Sequence, residues 1–315
     1  MHTYVIGHLK PDTDSVVAAI ALATLYQNAG CFGRNEAIAA IAGPVNGETK
    51  FLLDKFNTEQ PVILEAAQLE ESDRVVLVDH NEASQRLEGL KQSQIIEIID
   101  HHKANLNFSE PIFLTFKTWG SSNSIIYFMM KKNGFVPDQN LAGLMLAAIL
   151  SDTVGFKSST CTDKDRELAM ELAAIAQISD LEAFTLEIFK AKSSVGELSD
   201  REIVENDYKV FDFHGKQVMI DQLETVEQAQ VLEQRQAGLL EAMTVVKAER
   251  KVDYIFVAVT DILQVNTKLL LLDEAHAKVA EKAFNASAAG KIIDIGAKLS
   301  RKKDIAPQIE TALAA

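Results

Sequence analysis

Short hydrophobic runs, rich in Val and Ile and apolar on both faces, alternate with longer stretches of helical pattern through the first half of the chain. YVIG, RVVLVD and IIEIID have the character of strands buried on both sides, which a parallel sheet covered by helices requires. The pattern predicts strands over 3–7, 37–42, 75–79 and 95–100, with a short helical piece between the last two. It predicts helices over 15–28 (ended by Gly30), 47–56, 121–132, 138–150, 163–178 and 181–190. Such alternation implies an α/β fold, a doubly wound, mainly parallel sheet domain over 1–190. The stretch 191–199, AKSSVGELS, is small, polar and Gly-containing, as a hinge should be. The pattern then restarts: a hairpin over 208–213 and 217–221 around His214-Gly215-Lys216, a helix over 225–250, strands over 254–260 and 265–271, a helix over 274–284, a strand over 291–294 and a terminal helix. A smaller C-terminal α/β domain with a mixed sheet over 200–315 is expected.

Four segments put acidic or imidazole side chains at the ends of apolar runs: His8 to Ser15, Asp79-His80, Asp100-His101-His102 and Ser151-Asp152-Thr153. Ligands in open parallel sheets bind outside the carboxyl ends of the strands. Three strand ends therefore deliver aspartates and histidines to one crevice. Asp12 and Asp14, one residue apart, point the same way if their loop is extended. Alone, Asp14 or Ser15 could simply cap the next helix; the matching groups at Asp79 and Asp100 shift the balance to a metal site.

Mixed carboxylate and imidazole ligation without thiolate points to Mn, Co, Fe, Zn or Mg rather than a structural zinc. Two cations about 3.5–4 Å apart would clamp attacking and leaving oxygens and lower the pKa of a shared water, which suits phosphoryl transfer to water. Glycine-rich phosphate cradles and the signatures of hydride transfer, Ser-His-Asp acyl transfer and sugar chemistry are missing from the sequence.

Composition narrows the classes further. The formal net charge of -14 disfavours a long nucleic-acid partner, whose binding depends on Lys and Arg neutralising phosphates. Cys31 and Cys161 make no disulfide framework, so a reducing cytoplasm is expected. The longest apolar stretches, such as LAGLMLAAIL, fall short of a bilayer span, and MHTYVIG lacks a signal-peptide pattern, so no membrane association is expected. Trp119 and the scattered Phe residues read as core.

GHLKPDTDS, VDHNE, DHHK, LSDT and SRKK, in this order, resemble the family II (manganese-dependent) inorganic pyrophosphatases of the DHH phosphoesterase superfamily, over essentially the whole chain. The DHH triplet is shared with exonucleases and exopolyphosphatases. DHHK with a C-terminal SRKK is more specific for the pyrophosphatases, and no regulatory insert interrupts the N-terminal domain.

The resemblance implies hydrolysis of pyrophosphate to two orthophosphates by a metal-bridged hydroxide. It implies two Mn2+ (Co2+ as an alternative, Mg2+ or Zn2+ as substitutes) and a further Mg2+ or Mn2+ arriving with substrate. His8 and Asp12 would bind the first metal and Asp14 the second, Asp79 would bridge both, and His101 and Asp152 would complete the second site. His102, Lys209, Arg301 and Lys302 would contact substrate and serve catalysis, while His80 and Asp100 would orient ligands. A homodimer paired at a sheet edge is expected.

Other readings stand beside these. Lys209 could be a solvated strand residue, Arg301, Lys302 and Lys303 a basic loop, and Asp152 a cap. His2, His214 and His276 read as ordinary surface groups. An exopolyphosphatase or oligonucleotide phosphodiesterase would use the same metal core, and a metal-dependent binding protein without turnover is an alternative of another class.

Overall fold

The computed structural model describes residues 1–29, 34, 36–193 and 198–314. Gly30, Cys31 and residues 194–197 of the expected hinge lie outside them. The chain divides into two units, Met1–Ala191 and Lys192–Ala315.

In the first unit the elements run β1 (Thr3–Ile6), α1 (Thr13–Ala29), β2 (Ala37–Ile41), α2 (Gly47–Lys55), β3 (Val62–Ile63), β4 (Arg74–Val78), β5 (Ile95–Asp100) and β6 (Phe113–Phe116). Helices α3 (Ser122–Lys132), α4 (Gln139–Asp152), α5 (Asp163–Ala176) and α6 (Leu181–Ser193) follow. Among the described residues the strands form one six-stranded sheet in the order β3-β2-β1-β4-β5-β6, with every pairing parallel. The order reverses between β1 and β4, where open α/β sheets leave a crevice beyond the strand ends.

Alternation within the strands divides the core. Val5, Val76, Val78 and Ile99 pack with α1, α3, α4 and α5 on one face, whereas Ile6, Val75, Leu77 and Ile98 face the other way. That second face is closed by Leu64, Leu87, Leu106 and Phe108 from irregular segments rather than by long helices. Helix α4 is buried continuously from Leu141 to Ser151, and its all-round apolar sequence fits a helix wrapped by others.

The second unit contains α7 (Asp200–Val204), β7 (Tyr208–Phe213), β8 (Lys216–Thr225), α8 (Gln228–Arg250), β9 (Tyr254–Asp261), β10 (Asn266–Leu270), α9 (Glu274–Phe284), β11 (Ile292–Gly296) and α10 (Ala306–Leu313). Its sheet, ordered β11-β10-β9-β8-β7, is mixed: β8 and β9 are parallel and the other neighbours antiparallel. Met219, Leu223, Ile255 and Val257 pack under α7 and α8, while Val218, Ile220, Phe256 and Ala258 pack with α9 and α10. The expected hairpin turns through His214 and Gly215, at φ 56° and 80°. Two positive φ values mark the turn whose twist suits paired strands, and Gly adopts one without penalty.

His214 is exposed as expected, but His276 is not a surface group. It is fully buried against Tyr254 and Phe256, with Nδ1 2.7 Å from Asp273 Oδ1 and Nε2 accepting from the Ile255 N–H at 3.3 Å. The reason is positional: Asp273 caps α9, so a histidine three residues on turns back over the cap and under the sheet. Among the described residues no helix is long and apolar enough to cross a membrane.

Candidate metal centre

Each strand next to the switch point ends in a side chain that turns into the crevice. Beyond β1, Gly7 lets the first turn of α1 lie against the strand end; a Cβ there would meet Ser15 Oγ at 1.8 Å. His8 follows, its Nδ1 donating to the Leu9 carbonyl at 2.8 Å, which turns Nε2 toward the crevice. Beyond β4 the backbone bends through a left-handed conformation at Asp79, φ 62°. Such a conformation costs a non-Gly residue about 1 kcal/mol or more, and Asp is among the residues that tolerate it. Beyond β5, His101 Nδ1 donates to the Trp119 carbonyl at 3.0 Å and again leaves Nε2 facing inward. Asp152, the last residue of α4, closes the group.

The six expected ligands come together in two overlapping sets. His8 Nε2 lies 3.5 Å from Asp12 Oδ1 and 3.4 Å from Asp79 Oδ2. His101 Nε2 lies 3.2 Å from Asp79 Oδ1 and 3.4 Å from Asp152 Oδ2, and Asp14 shares that second cluster. Asp79 faces both histidines, one with each oxygen. A small cleft of about 300 Å³ opens onto the group, lined by His8, Asp12, Asp79, Gln85, His102 and Asp152 among others.

One expectation about direction fails. Helix α1 begins at Thr13, so Asp12 and Asp14 are not on an extended segment and diverge. Asp12 is exposed and its Oδ1 accepts from the Ser15 N–H at 3.0 Å, which makes Asp12, rather than Asp14 or Ser15, the residue that caps the helix. Asp14 is buried and points to the other cluster.

The electrostatics of these donors fit a divalent cation. Burial and the charges of Asp79 and Asp152 push the Asp14 carboxyl well above its usual range. Burial and Asp79 push Asp152 up to about 7. Burial opposes charge on His8 and His101, but hydrogen bonds to Asp12 and Asp79 raise His8 to about 11, and Asp79 with neighbouring carboxylates raises His101 to about 10. Burial likewise opposes charge on Asp79, but hydrogen bonds from His101 and His8 hold its carboxyl well below the ordinary value. Such a set carries excess negative charge that only protons or a cation can relieve. Among the described residues Asp152 Oδ2 is buried without a hydrogen-bond partner, as an atom aimed at a cation would be.

Asp100 accepts from the N–H and Nδ1 of His102 at 3.0 and 2.9 Å and fixes that half-exposed ring at the cleft. The hydrogen bond to Asp100 raises the His102 pKa above its ordinary value. His80 makes no hydrogen bond to a ligand: Nδ1 meets the Val78 carbonyl at 2.9 Å, and its ring lies edge-on to His8 at 6.3 Å. Burial pushes its pKa down to about 4.

Sequence reasoning missed the segment Trp119-Gly120-Ser121-Ser122-Asn123, which touches three of the six. Besides the Trp119 carbonyl on His101, Ser121 Oγ and Asn123 Nδ2 donate to Asp14 Oδ1 and the Ser122 N–H donates to Asp14 Oδ2 at 2.8 Å. Ser122 Oγ donates to Asp79 Oδ1 at 3.0 Å. Glu48 was missed as well; its Oε1 accepts from Thr13 Oγ1 at 2.5 Å and Ser151 Oγ at 2.6 Å, tying the neighbours of Asp12, Asp14 and Asp152 together.

In the second unit, Lys209 is an exposed residue of β7 with Nζ 5.5 Å from the centre of the Phe211 ring. Arg301 and Lys302 occupy a single π-type turn, Arg301–Ile305, that leads into α10. Lys302 is exposed, and the Arg301 guanidinium is bonded to Asp207.

Comparison with known proteins agrees along the full length. The DHH family N-terminal domain matches residues 2–149 and the DHHA2 domain residues 186–312. A manganese-dependent inorganic pyrophosphatase of Methanocaldococcus jannaschii is 40% identical, covering 98% of this chain and 98% of its own. This chain belongs to the family II inorganic pyrophosphatases. A second manganese-dependent inorganic pyrophosphatase, from Bacillus subtilis, is 38% identical over 98% of each chain. The crystal structure of a Methanococcus jannaschii protein assigned to the family II inorganic pyrophosphatases superposes with a TM-score of 0.62 at 37% identity, covering 99% of this chain and 100% of that one. The crevice at the β1/β4 switch point lies in the part of the chain that the DHH N-terminal domain matches.

Proposed function

We propose that the chain hydrolyses inorganic pyrophosphate to two orthophosphates at the centre around Asp79. The observation that carries this is the convergence of Asp12, Asp14, Asp79 and Asp152 with the inward Nε2 atoms of His8 and His101. Its relatives' names, manganese-dependent inorganic pyrophosphatase, support the substrate and the metal.

His8, Asp12 and Asp79 would hold one Mn2+, and Asp14, Asp79, His101 and Asp152 the other, with a further Mg2+ or Mn2+ accompanying substrate. When bound, such cations supply charge neutralisation and activation of water near neutral pH. The protein's own groups do the rest. Ser121, Ser122 and Asn123 hold Asp14 and Asp79 in place; Asp100 keeps the His102 ring turned to the cleft, where it would donate to a phosphate oxygen. Lys209, Arg301 and Lys302 would bind phosphate oxygens, the guanidinium by paired N–H groups.

Phosphate release from pyrophosphate, polyphosphate and short oligonucleotides, each with Mn2+ present, tests the assignment. Pyrophosphate should be turned over far faster than the other two; preference for a polymer would overturn it, and no turnover by metal-loaded protein would point to a binding protein.

Ser122→Ala should weaken Mn2+ affinity by about 10- to 100-fold, the usual effect of removing a partner that aims a ligand. Calorimetric titration would measure it, and unchanged affinity would remove Ser122 from the centre. We also propose a cytoplasmic homodimer paired along β6, an edge strand with exposed Phe113 and Leu114. A monomer mass by light scattering would exclude it.

A further inference from the structure

Arginine on a loop is a flexible ligand, and its contribution to anion binding depends on how well its guanidinium is held beforehand. Within the second unit Arg301 is tied at both ends to the sheet. At the backbone, its N–H donates to Gln222 Oε1 at 3.0 Å, and Gln222 Nε2 donates to the Leu299 carbonyl at 2.9 Å and Thr260 Oγ1 at 3.1 Å. One buried side chain of β8 thus grips the loop on both sides of Ser300. At the tip, Nη1 donates to the Asp207 carbonyl and Nη2 to Asp207 Oδ1 at 3.0 Å.

Asp207 is itself fixed. Its N–H donates to Asp221 Oδ1 at 3.0 Å and its carbonyl accepts from the Gln222 N–H at 3.1 Å, so it too is mounted on β8. Asp207 also stands two residues before Lys209. A guanidinium carries five N–H groups, and these two bonds use two of them, leaving others for an anion. The carboxylate of Asp207 is largely exposed, and an ion pair of that kind adds little to stability. What the pair does is set the direction of the guanidinium.

We propose that Asp207 is a positioning residue for Arg301, holding the guanidinium ready for the phosphate end of the substrate. This rests on the reading of Arg301 as part of the substrate grip. The experiment is steady-state hydrolysis of pyrophosphate by full-length, Mn2+-loaded Asp207→Ala, Asp207→Asn, Arg301→Ala and the Asp207→Ala/Arg301→Ala double variant, with metal content measured in each.

Asp207→Ala should raise KM by about 3- to 10-fold, as expected for loss of one charge-assisted contact. Metal content should not change, and kcat should change much less than KM. Asp207→Asn, which keeps an acceptor at Oδ1, should recover part of the loss, and Asp207→Ala should add nothing in the Arg301→Ala background. Effects that add in the double variant, or an unchanged KM for Asp207→Ala when Arg301→Ala raises it, would overturn the positioning role alone. An unchanged KM for Arg301→Ala would sink the substrate grip and the positioning role together.

Discussion

Asp79→Asn and Asp79→Ala should each lose binuclear Mn2+ binding and at least about a thousandfold in kcat/KM, roughly 4 kcal/mol of transition-state stabilisation. Among the described residues Asp79 is the one carboxylate that faces both imidazoles, with Oδ2 toward His8 and Oδ1 toward His101. Its loss therefore weakens both clusters rather than one. The Asn variant separates chemistry from folding, because Asn also tolerates the left-handed backbone that this position adopts. Elemental analysis and phosphate release should fall together in both variants. Retention of two metals and full activity would show that Asp79 does not join the clusters.

Removal of metal should have the second largest effect. Exhaustive chelation should abolish pyrophosphate hydrolysis, and Mn2+ should restore it. Binding to the folded state alone stabilises by about 4 kcal/mol at a thousandfold excess over Kd. For a domain of this size that corresponds to a rise in Tm on the order of 10 °C, seen by calorimetry.

The pH dependence has a definite sign. In the metal-free protein His8 and His101 titrate at about 11 and 10, above their ordinary value, so their protonated forms stabilise the fold fully below about 6.5. That stabilisation is lost as pH rises through the folded-state values. Mn2+ needs the neutral imidazoles and competes with these protons. The Tm increase from Mn2+ should therefore be larger at pH 9 than at pH 6. A chelator-resistant enzyme, or the reverse trend, would contradict a centre built on these ligands.

Much of the framework could be read from local pattern. The bounds of β5 coincide with the apolar run that announces it, and those of α9 with its helical pattern, because periodicity records burial. The missing elements are short. β3 has two residues, both exposed; β6, with Phe113 and Leu114 exposed and only Thr115 and Phe116 partly covered, is an edge; α7 has five residues. Elements this short have no period to detect.

Chemistry followed the same division. That Asp and His stand at strand ends is a statement about neighbours in sequence, and it held for His8, Asp79 and His101. The roles of Ser121, Ser122 and Asn123 had no such mark. Ser121 is also an ordinary cap for α3, accepting from the Asn123 N–H at 3.1 Å, and its bond to Asp14 spans 107 residues. His276 was misjudged for a related reason: nothing in a polar helix face announces that the sheet closes over it.

The sequence by itself determined where the buried strands lie, which side chains follow them, and hence the kind of ligand that could gather at their ends. Tertiary structure alone decided which carboxylate meets which imidazole, that Asp12 and Asp14 part company at the start of α1, and in which direction each buried group's pKa is pushed. The physical reason is range. Strand and helix patterns arise between residues a few positions apart, whereas hydrogen-bond direction and pKa depend on burial and on charges brought close from distant parts of the chain.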